Sequence, residues 1–143
     1  MTTAIPVAGT PGSSRLRSTA AVLVAFISVA VLSLAVDQLF HELDVYPPWG
    51  EPMYAPGLNL LALSYRILFA IGGGYIAAAL APHSPMRHVR ILAVIGLIAA
   101  SLGAIGAIAV GNLGPNWYPI LLALTAYPTT WLGGALHQRF VSN

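Results

Sequence analysis

Cysteine is absent from this sequence, lysine is absent, and charge of either sign is scarce. Each absence excludes something. Without cysteine there is no disulfide, no thiolate metal site and no thiol redox chemistry, and the compartment stays undetermined. Acidic and basic residues together make 7% of the 143, against about 25% in ordinary soluble proteins. At a mean hydropathy of +0.79, a water-soluble fold would have too few charges to cover its surface. The pI of about 9.3 reflects an excess of only two charges. All six basic residues are arginines and they form no run, so no nucleic-acid partner is expected. No phosphate-binding glycine loop is present either. Gly72-Gly73-Gly74 lies inside an apolar stretch, with no lysine and no preceding strand.

What the chain does have is long hydrophobic runs. A membrane span needs about 20 mostly apolar residues, and four segments meet that length. We place them at about 19–39, 57–81, 90–110 and 118–136, inside one all-α transmembrane domain covering 18–139. Residues 1–17 are expected to be a flexible tail, Thr, Pro, Gly and Ser at first and then Arg15 and Arg17; residues 140–143 form a second, short tail. The first run has a competing reading as a signal peptide with Ser33-Leu34-Ala35 as cleavage site. Its length exceeds the usual apolar core, and the helical spacing continues into DQLFHEL, so a retained first helix is favoured. Small residues recur on the third segment at Gly96, Ala100, Gly103, Ala107 and Gly111. That stripe suits close packing inside the bundle against Gly72, Gly73, Gly74 and Ala77, or dimerisation as the second option. On the last span Pro128 should introduce a kink, with Thr125, Thr129 and Thr130 available for freed carbonyls.

Charge distribution orients the spans. Arg15, Arg17, Arg87, Arg90 and Arg139 all fall in the N-terminal tail, the second loop and the C-terminal end. The first and third loops carry no arginine. By the positive-inside rule both termini are expected in the cytoplasm, with Arg87 and Arg90 touching anionic lipid headgroups. The first loop, DQLFHELDVYPPWGEPMYAP, holds all four acidic residues and then faces outward. Its prolines forbid a regular helix, and Tyr46, Trp49 and Tyr54 suit the headgroup level.

Arg66 is the anomaly. It lies well inside the second span, where a cation costs about 2.5–3.5 kcal/mol on insertion scales. Its depth of about 13 Å below the outer end is close to the roughly 9 Å of Asp37 on the first helix. An Asp37–Arg66 ion pair is therefore expected; snorkelling to headgroups or bonding to backbone carbonyls is the alternative. His41 is one turn after Asp37, and Asn59 is two turns before Arg66. Asp37, His41, Asn59 and Arg66 are the candidate residues of a polar cluster opening outward, either structural or binding a small molecule, ion or proton. Asp-x-x-x-His has the spacing of two metal ligands, but two ligands do not make a site, and no cofactor is expected. His83, His88 and His137 gather at the cytoplasmic face as solvated interfacial groups, since haem ligation needs histidines facing each other across spans. Ser64 has no histidine at matching depth on its own helix to act as a base.

The strings YPPWGEPM, LALSYR, GGGYIAAALAP and SPMRH, followed by LGPNWYPI and WLGGAL, span about the last three-quarters of the chain. In these strings the chain resembles a group of small uncharacterised bacterial inner-membrane proteins. The resemblance implies a four-helix protein of the bacterial inner membrane and carries over no activity and no site residue. With no acid–base set visible, the expectation is a non-enzymatic membrane protein whose partners are the lipid bilayer and a homo-oligomer or another membrane protein. A small oligomeric transporter or channel using Arg66 and Asp37 is the alternative, and a membrane-embedded enzyme the second alternative.

Overall fold

Prolines punctuate this chain. A proline in a first helical turn costs nothing, because the N–H it lacks has no intrahelical acceptor there. Three helices begin at one. The computed structural model describes residues 11–142. Over them the order is α1 (Pro11–Glu42), α2 (Pro56–Leu80), α3 (Pro85–Val110) and α4 (Trp117–Val141). Residues 1–10 of the expected N-terminal tail and Asn143 lie outside the described residues. The rest of that tail is a correction: residues 11–17 are the first two turns of α1, and α4 likewise runs on to Val141.

α1, α2 and α3 are each long and apolar enough to cross a membrane. Along α1, Leu23, Ile27, Val31 and Leu34 point outward and are each more than half exposed. Only 17% of the most apolar window of α1 is buried in the protein. Water does not tolerate apolar stripes of that extent; a bilayer does. α4 has 25 residues, as many as α2, but is not among those three. Thr125, Tyr127, Pro128, Thr129 and Thr130 dilute its hydropathy. The threonine hydroxyls bond back to their own helix, Thr125 to Leu121 O (2.7 Å), Thr129 to Thr125 O (2.7 Å) and Thr130 to Ala126 O (2.8 Å). No hydroxyl is left without an acceptor. None of them reaches the Leu124 carbonyl, the group that Pro128 deprives of its amide, so the expected repair by threonine does not occur.

Successive helices run antiparallel. α2 packs against α1, α3 and α4, α3 also touches α1 and α4, and α1 and α4 do not meet. The core is two small clusters, Val22, Ala25, Ala77, Ala78, Val89 and Leu92 in one and Tyr46, Ala62 and Tyr65 in the other. The closest approach is between α2 and α4. A Cβ added to Gly74 would lie 1.9 Å from the Thr130 carbonyl oxygen, and one on Gly133 would lie 1.8 Å from that of Ile71. No side chain fits at either position, so these glycines set the crossing. The expected match between α2 and the α3 stripe is not what forms. Added Cβ atoms on Gly96 and Gly103 would meet nothing within 4 Å. α3 instead presents branched Val89, which occupies the notch at Gly134, and Gly96 and Ala100 border a cavity of about 190 Å³ between α1 and α4.

At one end the first and third loops close over the bundle. α1 stops in a Schellman arrangement, with Val45 N–H donating to Phe40 O (2.9 Å) and Asp44 N–H to His41 O (3.2 Å). Asp44 takes the left-handed position at φ 55°. Met53 N–H then donates to Leu113 O at 2.9 Å, tying the two loops together. Trp49 and Tyr54 stay exposed, as expected of headgroup-level aromatics, but Tyr46 is buried. The chain turns its ring inward beneath the loop, onto Phe40 and Tyr65.

Candidate functional site

Asp37 sits five residues before the end of α1 and Arg66 ten residues after the start of α2. On antiparallel neighbours these positions reach similar depth, and the two side chains meet. Arg66 Nη2 lies 2.5 Å from Asp37 Oδ2. Tyr65 completes the arrangement. Its hydroxyl donates to Asp37 Oδ1 and accepts from Arg66 Nη1 at 3.0 Å. Tyr46 approaches the same hydroxyl at 3.3 Å, and Arg66 Nη1 also reaches the Ala62 carbonyl at 3.4 Å. The Tyr65 and Tyr118 rings stand 5.2 and 6.0 Å from the guanidinium carbon, which adds cation–π attraction. Both carboxylate oxygens are bonded, and positive charge faces negative charge directly. Burial pushes the Tyr46 phenol above its usual range, against the lowering effect of its bond to Tyr65. Tyr46 is therefore a neutral hydroxyl here rather than a base.

His41 lies beside this network without joining it. Its Nδ1 is 2.7 Å from the Pro47 carbonyl. A carbonyl only accepts, so Nδ1 carries the hydrogen. The Trp49 ring covers the imidazole at 4.0 Å between centroids, and Trp49 Nε1 donates to Gln38 Oε1 at 3.2 Å. The histidine thus fastens the Pro47–Trp49 turn to the last turn of α1. Asp37, His41, Tyr46, Glu51, Arg66 and Tyr118 line a cavity of about 220 Å³ below the loop.

Asn59, the fourth candidate, is not in the wall of that cavity. Its Nδ2 donates to Met53 O (2.9 Å) and Ala55 O (3.0 Å), holding the end of the loop over the first turn of α2. Among the described residues no three histidine, aspartate or glutamate side chains are grouped to hold a metal, and both members of the Asp37-x-x-x-His41 pair are engaged elsewhere. Ser64 Oγ donates to Leu61 O at 2.7 Å and faces outward.

No protein-family model, curated protein or solved structure matches this chain. The reading of the site therefore rests on its own geometry.

Sequence reasoning named the two charges and missed the tyrosines. The signal for Tyr65 was available, because a phenol in mid-span needs a polar partner and its neighbour in sequence was the mid-span cation. Tyr46 and Tyr118 carried no such signal, since both stand beside prolines in segments read as interfacial. At the opposite end, Arg87 and Arg90 are exposed. The three histidines there are not uniformly solvated. His83 is exposed, but His88 is buried, with Nδ1 donating to Ser84 O at 3.2 Å. His137 packs its ring edge-on to Tyr75 at 5.0 Å, and its Nδ1 is buried with no partner. Val89 is fully buried between α1, α2 and α4, and it carries its neighbour His88 inward with it.

Proposed function

We propose that this chain is a non-catalytic, multi-pass protein of the bacterial inner membrane, with all four helices crossing the bilayer and both termini in the cytoplasm. The Asp37–Arg66–Tyr65 network acts in it as a fastener. The observation that supports this reading is that the two opposite charges meet inside the protein and share one tyrosine hydroxyl. The guanidinium, both carboxylate oxygens and the bridging hydroxyl satisfy one another. A charge-neutral cluster of this kind fixes α1 against α2 in one register. Membrane passage by α4 is supported by its length, its packing on α2 and α3 and the bonding of its threonines to its own backbone. The function that follows is that of a small scaffold or accessory subunit for another membrane protein or for a second copy.

Introduced cysteines test the topology, since the native chain has none. An impermeant thiol reagent applied to intact cells should label Asp44→Cys and Asn116→Cys and miss Ser84→Cys. Labelling of Ser84→Cys with protection of the other two contradicts the orientation.

One observation favours a second reading, passage of a small solute or proton. Arg66 borders two cavities, the one of about 220 Å³ under the acidic loop and the one of about 190 Å³ between α1 and α4. It stands where a path between them would run. Flux into liposomes that is abolished by Arg66→Ala would favour this reading over the scaffold, whereas the fastener reading expects no flux from the wild type.

A further inference from the structure

The largest group of free cations lies at the other end of the bundle. Between the first turns of α1 and α3 is a cavity of about 650 Å³ whose rim carries Arg15, Arg87 and His83. Among the described residues neither arginine has a carboxylate partner, the only ion pair being Arg66–Asp37. No acidic residue is anywhere near, because all four lie between positions 37 and 51 at the opposite end. The start of α3 adds to the positive field: Ser84 makes no side-chain cap, and the amides of a first turn carry partial positive charge.

The cavity changes character along its length. Its walls follow α1 from Ser14 to Leu23 and α3 from Arg87 to Ile95. Eight or nine residues of helix correspond to about 12–14 Å. The rim is cationic, and the far end is Leu23, Ile91 and Ile95, each more than a third exposed. A basic mouth opening onto an apolar groove that descends along two membrane helices matches a phospholipid, phosphate at the mouth and acyl chain against the groove.

We propose that this cavity binds one anionic phospholipid, its phosphate held by Arg15 and Arg87 and one acyl chain laid along Leu23, Ile91 and Ile95. The recognised chemistry is a phosphate ester, which a lipid or a free phosphate could supply; the apolar descent selects the lipid. Arg90 is not among the residues lining the cavity, so the two arginines of the α3 start have different roles: Arg87 holds one lipid and Arg90 meets the bulk headgroup layer. The inference rests on the reading that α1 and α3 cross the bilayer, and it holds for either orientation.

Native mass spectrometry of the full-length protein, released from detergent after incubation with defined lipids, tests it. The wild type should retain one phosphatidylglycerol in preference to phosphatidylcholine, and millimolar inorganic phosphate should not displace it. Arg15→Gln/Arg87→Gln should weaken retention roughly tenfold to thirtyfold, the scale set by two basic contacts at a membrane surface, and Arg139→Gln should leave it unchanged. Equal retention of the two lipids by the wild type overturns the proposal without any variant having to fold. Displacement by phosphate would make the site one for a free anion and equally overturn it. Full retention by the double variant would show that the lipid binds elsewhere. Reversed cysteine labelling would contradict the topology and leave this site standing, so the two readings fail separately.

Discussion

The two ends of this bundle hold their charges in opposite ways. At the loop end one half-buried cation sits among helices and meets Asp37, the Tyr65 hydroxyl, a carbonyl and two aromatic faces. At the other end Arg15, Arg17, Arg87, Arg90 and Arg139 are all exposed, and none has an acidic partner among the described residues. The difference follows from the solvent. Hydrocarbon offers a guanidinium nothing, so the protein itself must supply the counter-charge. At the other end an exposed guanidinium keeps its hydration, so the protein need not supply a counter-charge there.

The comparison can be broken most sharply at Arg66. Arg66→Gln leaves the Asp37 carboxylate stranded, and Asp37→Asn leaves the guanidinium stranded. Each should lower the unfolding free energy in micelles by about 3–5 kcal/mol, read as a shift in the SDS concentration at half-unfolding. Replacing Arg15 or Arg87 with Gln in the same micelles, free of anionic lipid, should shift that midpoint little. Comparable losses at the two ends would erase the distinction.

The crossing between α2 and α4 separates steric from polar fastening. Gly133→Ala brings a methyl group against the Ile71 carbonyl, and overpacking of this kind costs about 1–3 kcal/mol or more. Unlike the charge variants, it should be insensitive to changes at Asp37. A wild-type midpoint for Gly133→Ala would mean that the helices can separate there without loss.

Smaller still is the bridging hydroxyl. Tyr65→Phe keeps the ring and removes the group that donates to Asp37 and accepts from Arg66, for an expected loss of about 1–2 kcal/mol. No change would make the tyrosine a packing residue only. At the surface, Asp44→Gly should raise stability slightly, by about 0.5–1 kcal/mol, because glycine adopts φ 55° without strain. A drop would show that the Asp44 side chain contributes something its backbone position does not reveal.

Much of this architecture was legible in the sequence, for reasons that differ from residue to residue. The apolar runs located the helices, a local signal, but not all their starts: α1 and α3 begin at Pro11 and Pro85, ahead of the runs placed at about 19 and 90. The pairing of Asp37 with Arg66 followed from depth alone, because a charge in hydrocarbon must find its opposite and only one carboxylate lay at the right level. Pairwise packing was not legible. Gly96, Ala100 and Gly103 offered α2 as good a stripe as Gly133-Gly134 did, and only the three-dimensional arrangement decides that α4 takes the place against Gly74. Asn59 was assigned to the cluster because two turns of helix bring it onto the face of Arg66, yet the Met53 and Ala55 carbonyls at 2.9 and 3.0 Å claim its amide first. The same limit applies to His41, whose role as a loop fastener depends on where Pro47 and Trp49 fold back.

The account depends most on the coupling between Asp37 and Arg66, and a double-mutant cycle in SDS unfolding measures it directly. Asp37→Asn/Arg66→Gln should be clearly more stable than the sum of the single losses predicts, by more than about 1 kcal/mol, since neither charge is then left unpaired. Strictly additive losses would mean that the two side chains lie close without depending on each other, and the fastener would have to be sought elsewhere in the bundle.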